Sequence, residues 1–205
     1  MATDSADAIL RRVDDEKLDY VRCQFIDFIG VARGRTVRRE YLPHVLRLGL
    51  PFAQVNNTVD IDDLETDLTY GSQAGDFWAV PDPASFARLP YATATGHMFT
   101  DLVGADGVPW PTCTRSALRR VAELARKELG TVRLGFEQEG YLLRKDGERY
   151  TPLHRGKQFT AEILDAEDGF ISDLASALVI MGIPLEKITA EGGLPARSHP
   201  AGCRT

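Results

Sequence analysis

Cysteine is scarce in this 205-residue chain, and its three copies, Cys23, Cys113 and Cys203, lie far apart. A scattered, odd-numbered set gives no disulfide framework, no CxxC redox pair and no zinc cluster. It suits a reducing compartment in which thiols stay free. Long apolar runs are missing as well. No window approaches the ~18 residues a membrane span needs, and the opening MATDSADAILRRVDDEKLDY lacks the apolar core of a secretory signal. Positive charge is the third shortage. Lys and Arg number 24 against 30 Asp and Glu, a net charge of −6, so the basic clusters at 33–35 and 38–39 read as solvated surface and not as a nucleic-acid face. These shortages point to a cytoplasmic protein with no nucleic acid and no membrane among its partners.

Several chemical signatures are also missing. His44, His97, His154 and His199 show no HExxH or similar ligand spacing. There is no nucleophile elbow and no Gly-rich phosphate cradle, so no residue is assigned to a nucleotide. The acidic run at 60–67 lacks the glycine and terminal glutamate of a calcium loop and reads as a solvated loop. Trp78 and Trp110 read as packing anchors.

What remains is an ordinary globular composition, 43% hydrophobic and 26% charged. Residues 4–17 suit a short helix with Ile9, Leu10 and Val13 on one side. YVRCQFIDFIG and VARGRTV read as two strands joined by a hairpin near residues 29–31. REYLPHVLRLG suits a short helix stopped by glycine. The stretch from Leu50 to Pro90 is expected to be an acidic, loop-like connection, and Thr95 to Leu102 another strand. DGVPWP is read as a turn and linker, and the domain boundary is set there. After it, TCTRSALRRVAELARKELG forms an amphipathic helix capped by Thr114 and closed by Gly130. Leu118, Val121, Ala122, Ala125 and Leu129 share one face of it. DGFISDLASALVIMGI supplies a further helix, with Phe170, Leu174 and Leu178 in register.

Between those helices lies LGFEQEGYLL, expected to be a strand. Alternation puts Glu137 and Glu139 on one face, with Cα atoms roughly 6.5–7 Å apart. Two carboxylates that close repel each other. A wet face, a basic neighbour or bound divalent cations would each relieve the repulsion, and on spacing alone a solvated face is the better explanation.

The motifs, taken in order, resemble the glutamine synthetase family. LGFEQEGYLL is similar to the family's G-x-E-x-E-[FY]-x-L, at the start of its catalytic domain. YVRCQFIDFIGVARGRTVRREYL resembles its opening β-grasp hairpin, F-x-D-x-x-G-x-x-[KR]-G. GDFWAVPDPASFARLPY resembles the segment in which an acidic residue precedes a strand leading to P-D-P-x-[ST]-[FL]. MGIPLEKITAEGG resembles a stretch that contributes another metal-binding glutamate. The likeness runs from about Tyr20 to Gly193. It implies an α+β chain: an N-terminal β-grasp module followed by the beginning of a glutamine synthetase-type catalytic α/β domain, truncated. The division expected is a helical extension at 1–18, the β-grasp domain at 19–110, and a partial catalytic domain at 111–205 with an atypical tail at 194–205.

The resemblance further implies a ligase joining the γ-carboxylate of glutamate to ammonia or another amine through an acyl phosphate. ATP would be the co-substrate, and Mg²⁺ or Mn²⁺ would be held by Glu137, Glu139 and Glu191. Asp76 would be the acid that draws a proton from ammonium; a turn-capping aspartate explains it equally well. At full length the family pattern is a homo-oligomeric ring whose sites form between subunits.

Two departures qualify the expectation. Ammonia-using members show D-G-S-S after the short helix, whereas LPFAQVNNT puts Ala53 where that aspartate stands, which opens the pocket to bulkier amines. The family's G-[PA]-G-Q-x-E is replaced by AEGGLPARSHPAGCRT, for which a frameshifted gene is one explanation. The chain alone is therefore expected to be inactive. The alternatives are a non-catalytic remnant or assembly partner of such rings, or a small metal-dependent hydrolase using the three glutamates.

Overall fold

The computed structural model describes residues 5–66, 68–154 and 157–191. The tail from Leu194, with its proposed shift of reading frame, lies outside them, as do His199 and Cys203. Two compact units divide the chain, Met1–Val132 and Arg133–Thr205.

The first unit opens with α1 (Ala6–Asp15), capped by Ser5, whose hydroxyl oxygen accepts from the Ala8 N–H at 3.3 Å. Its i, i+4 pair Ile9 and Val13 is buried. Next, β1 (Tyr20–Ile26) and β2 (Ala32–Arg38) form an antiparallel hairpin in register from Tyr20↔Arg38 to Ile26↔Ala32. A short turn leads into α2 (Leu42–Leu48). Pro43 sits in its first turn, where the missing N–H goes unneeded, and Gly49 ends it at φ 76°.

The stretch expected to be a long loop instead contains three strands: β3 (Leu50–Ala53), β4 (Asp76–Pro81) and β5 (Ala87–Arg88). In β4 burial alternates strictly, with Phe77 and Ala79 inward. Six residues ending in proline give too short a pattern to separate from turn chemistry. The last strand, β6 (Thr95–Val103), lies parallel to β1 and antiparallel to β4 and β5. The sheet order is β2-β1-β6-β4-β3, with β5 on β6. This mixed sheet with its helices is the α+β, β-grasp arrangement expected.

Two apolar clusters hold the unit together. One joins α1 and α2 to the sheet through Ile9, Val13, Leu18, Val21, Leu42 and Met98. The other is aromatic, built on Phe25, Phe52 and Phe77 with Leu102 and Cys113. Burying a Phe side chain is worth roughly 1.5–3 kcal/mol, so these rings are the main anchor of the β3–β4 edge. DGVPWP does more than link, because Trp110 packs 5.8 Å from the Phe77 ring and its backbone N–H donates to Leu102 O.

The helix after it, α3 (Thr114–Leu129), is capped by Cys113 and not by Thr114. The Cys113 Sγ accepts from Ser116 N at 3.4 Å, while the Thr114 hydroxyl donates to Ile26 O at 2.8 Å. Arg115 ties α3 to the sheet by ion pairs to Asp82 (2.7 Å) and Asp101 (3.2 Å). Beyond that turn, Leu118, Val121, Leu124 and Leu129 remain exposed.

In the second unit, β7 (Leu143–Asp146) and β8 (Arg149–Pro152) make a hairpin turning at Gly147. Two helices follow, α4 (Ala161–Ala166) and α5 (Asp168–Ile180). The expected strand over LGFEQEGYLL is corrected: residues 132–142 carry no ladder, and strand pairing begins only at Leu143. Alternation selects a buried face only where a partner strand lies alongside, and the described residues supply none there. Leu134 and Phe136 are 77% and 82% exposed in consequence. Among the described residues no helix is long and apolar enough to cross a membrane.

Candidate functional site

The β3–β4 ladder runs from Leu50↔Ala79 to Ala53↔Asp76. Phe52 and Phe77 face each other one step inside its open end, ring centroids 6.0 Å apart. Phe25 stands edge-on to both, at 5.1 and 5.4 Å. Side chains alternate along a strand, so the aromatic pair pointing inward turns Ala53 and Asp76 toward the opposite face. Asp76 is exposed and Ala53 half-buried. The two positions singled out in the sequence as members of one amine pocket are thus cross-strand neighbours, although they stand 23 positions apart in the chain.

Loop 54–75 joins these two positions. Its base is closed by Gln54 N, which donates to Gly75 O at 3.0 Å. Inside it Val59 bridges Glu65, and the Thr66 hydroxyl donates to Thr58 O at 2.7 Å. Asn57, fully buried, donates through Nδ2 to Thr112 O at 2.9 Å and to Thr112 Oγ1 at 2.6 Å, while its own backbone O accepts from Phe28 N at 3.3 Å. Tyr70 packs against Trp110 at 5.7 Å. The loop is held at several points and is more than a solvated acidic run.

The β1–β2 turn explains the F-x-D-x-x-G-x-x-[KR]-G motif. The buried Asp27 carboxylate accepts from Ile29 N (3.1 Å) and Val31 N (2.8 Å), and pairs with Arg33 Nε at 2.7 Å. Gly30 stands at φ 85°, a conformation glycine adopts without steric cost. At Gly34 a Cβ would fall 2.3 Å from Cys23 O, so the strands approach too closely for any side chain. The second arm of Arg33 reaches Asp63 in loop 54–75 at 2.5 Å. The hydrogen bonds that Arg33 donates to Asp63 and Asp27 raise the guanidinium pKa above its ordinary value.

The glutamates behave differently. Glu137, Glu139 and Glu191 are all exposed, the first two on the unpaired segment. Their carboxylates are the hard oxygen donors that Mg²⁺ and Mn²⁺ prefer. Among the described residues, however, no group of three His, Cys, Asp or Glu side chains is arranged to hold a metal ion. As placed in this chain, the three do not make a metal site.

The sequence alone places Arg33 and Asp63 on solvated surface and does not reveal that they pair. The signal available was the repeated spacing D-x-x-G in the first turn and D-x-x-D in the acidic loop, which only the backbone shows to be one conformation.

Comparison with known proteins bears on these features. A family model described as "Glutamine synthetase N-terminal domain" matches residues 7–110. A γ-glutamylanilide synthase from Acinetobacter sp is 25% identical, over 92% of this chain and 44% of its own length. A glutamine synthetase from Mycobacterium tuberculosis is 28% identical, over 90% and 41% respectively. A crystal structure titled as a novel glutamine synthase homolog superposes with a TM-score of 0.65 at 25% identity, covering 85% of this chain and 41% of that one. The chain spans about two fifths of the length of these proteins.

Proposed function

The chain belongs to the glutamine synthetase family, which it enters through that family's N-terminal domain, and on this premise we propose that it forms part of an ATP-dependent carboxylate–amine ligase. In the reaction, the γ-carboxylate of glutamate takes the γ-phosphoryl group of ATP, giving an acyl phosphate and ADP. An amine then displaces phosphate to form the amide. Ammonia and organic amines are both candidates for that amine, and the proposal favours an organic one.

The observation that carries this choice is the register Ala53↔Asp76. An aminium group is drawn to the Asp76 carboxylate, which accepts a proton and frees the nucleophilic lone pair. A second carboxylate across the ladder would tighten the grip on a bare ammonium ion. The methyl group of Ala53 offers no such charge and leaves room for a substituent on nitrogen. The name of the Acinetobacter relative, a γ-glutamylanilide synthase, is in keeping with that reading.

Mg²⁺ or Mn²⁺ belongs to the proposal only as an expectation for Glu137, Glu139 and Glu191. Those side chains would have to be drawn together by strand pairing that the described residues lack. We therefore derive no step through a metal and expect these 205 residues alone to release no ADP. The reading extends to a homo-oligomeric ring and to a cytoplasmic setting. The latter is supported by Cys23 and Cys113, which stand buried as free thiols. The exposed apolar residues of α3, Leu118 and Val121 among them, and of α5, Phe170 and Val179 among them, favour a second reading, an assembly partner of such rings. Co-elution with a family ring in size exclusion would support that role, and elution only as a free monomer would oppose it.

The test of function is a module swap. Residues 7–110 replace the matching segment of the M. tuberculosis glutamine synthetase, and ADP release is followed with glutamate and either ammonia or a panel of amines. A shift of preference toward organic amines supports the proposal, and an unchanged preference for ammonia contradicts it.

A further inference from the structure

Two five-residue turns in this protein are built to one plan. In the first, Asp27 Oδ1 accepts from the N–H groups two and four residues on, Ile29 and Val31. Asp27 N donates to Val31 O at 3.0 Å, Gly30 N donates to Asp27 O at 3.2 Å, and Gly30 takes φ 85°. In the second, Asp60 Oδ1 accepts from Asp62 N and Leu64 N, both at 2.9 Å. Asp60 N donates to Leu64 O at 3.0 Å, and Asp63 N to Asp60 O at 3.1 Å. In both turns the fourth residue takes positive φ, but its identity differs in kind. Where the first turn uses glycine, the second uses Asp63 at φ 59°.

A side chain in the left-handed region is uncommon, and such a residue persists where its surroundings require it. What Asp63 gains there is Arg33. The guanidinium holds the buried Asp27 of its own hairpin with Nε and reaches across to Asp63 Oδ1 with Nη2. One side chain thus clamps the two turns together, and its rigid planar fork presents separate donors to the two carboxylates with less loss of rotamer freedom than a flexible ammonium would incur.

The clamped turn is the far end of loop 54–75, whose base is the Gln54–Gly75 hydrogen bond beside Ala53 and Asp76. We propose that Arg33 is a positioning residue: by holding Asp63 it fixes loop 54–75 on the β1–β2 hairpin, and so fixes the separation of Ala53 and Asp76 at the strand ends. Its bearing on amine choice rests on the functional reading above, while the clamp itself does not.

Amide hydrogen exchange of the 205-residue chain by NMR tests the clamp. Asp63→Asn keeps a residue that tolerates positive φ but removes the charge. Exchange at the Gln54 amide should then rise roughly two- to fivefold, the range an ion pair with one exposed partner supports. Amides in β1 and β2 should be unaffected. Asp63→Glu should restore much of the protection, and Arg33→Lys should fall short of it. In the unmutated protein Gln54 exchange should quicken with added NaCl, a readout that needs no variant to fold. Unchanged Gln54 exchange in Asp63→Asn, or faster exchange confined to residues 58–66, overturns the proposal. That outcome leaves the amine reading standing, because the module swap tests the latter independently.

Discussion

Ala53 stands directly opposite Asp76 across the β3–β4 ladder, one step beyond the buried Phe52–Phe77 pair. The pairing turns a local departure in the sequence into a statement about a site. One carboxylate is present where the resemblance leads one to expect two, and an alanine methyl occupies the other position.

Ala53→Asp is therefore informative. Cross-strand partners have Cβ atoms about 4.5–5.5 Å apart, and like charges there destabilise by roughly 0.2–1 kcal/mol. The repulsion raises the carboxyl pKa values of the folded variant. The penalty is thus full at neutral pH and fades as pH falls through the carboxylate range. Urea midpoints of variant and parent at pH 7 and pH 4 should converge at the lower pH; a constant gap would argue against close pairing of the two side chains.

Phe77 is fully buried, at the centre of the aromatic cluster. Phe77→Ala should cost about 3–5 kcal/mol and abolish the exchange protection of β3 and β4 together. Denaturant unfolding checks this, and a loss below about 1 kcal/mol would contradict the anchoring role given to the ring.

His97 is buried in β6, edge-on to Phe99 at 4.6 Å, with Arg22 its partner in the register to β1. Burial first, and then the Arg22 charge, push its pKa below the ordinary value. The unfolded chain therefore binds the proton more readily than the folded one. Stability is full above the ordinary histidine range and is lost as pH falls through it toward the depressed value. Thermal midpoints measured from pH 7.5 to 5 should fall, and His97→Gln should flatten that slope. An identical slope in both proteins would assign the effect elsewhere.

Leu118, Val121 and Leu124 on α3 are 60–66% exposed, and Phe136 82%. Exposed apolar side chains of this kind, on either unit, invite association. Light scattering of the 205-residue chain should grow with concentration, and Leu118→Gln combined with Phe136→Ser should reduce it. Scattering that is independent of concentration would remove the basis for the partner reading.

Much of the first unit was legible before the structure. The β1–β2 hairpin announces itself through alternation and Gly30. The α2 stop announces itself through Gly49, and the strand expected over Thr95–Leu102 is β6, which runs one residue further to Val103. The β3–β4 edge was hidden, since four and six residues flanked by proline and an acidic loop carry too little periodicity to outweigh turn chemistry. Residue type points to Thr114 as the α3 cap; its neighbour Cys113 is the residue whose sulfur meets the free Ser116 N–H. The LGFEQEGYLL stretch failed for a different reason. Its alternation is real, but a strand is a relation between two segments, and the described residues provide no second one for it. The roles expected for Glu137, Glu139 and Glu191 depend on that missing pairing, whereas Ala53 and Asp76 already face each other across a formed ladder.

The module-swap assay bears most directly on the amine reading. With residues 7–110 in place of the equivalent segment of an ammonia-using ligase, kcat/KM for an organic amine relative to ammonia should rise at least roughly tenfold, the scale on which pocket shape discriminates. Ala53→Asp should reverse the gain. A ratio indifferent both to the swap and to that substitution would contradict the account.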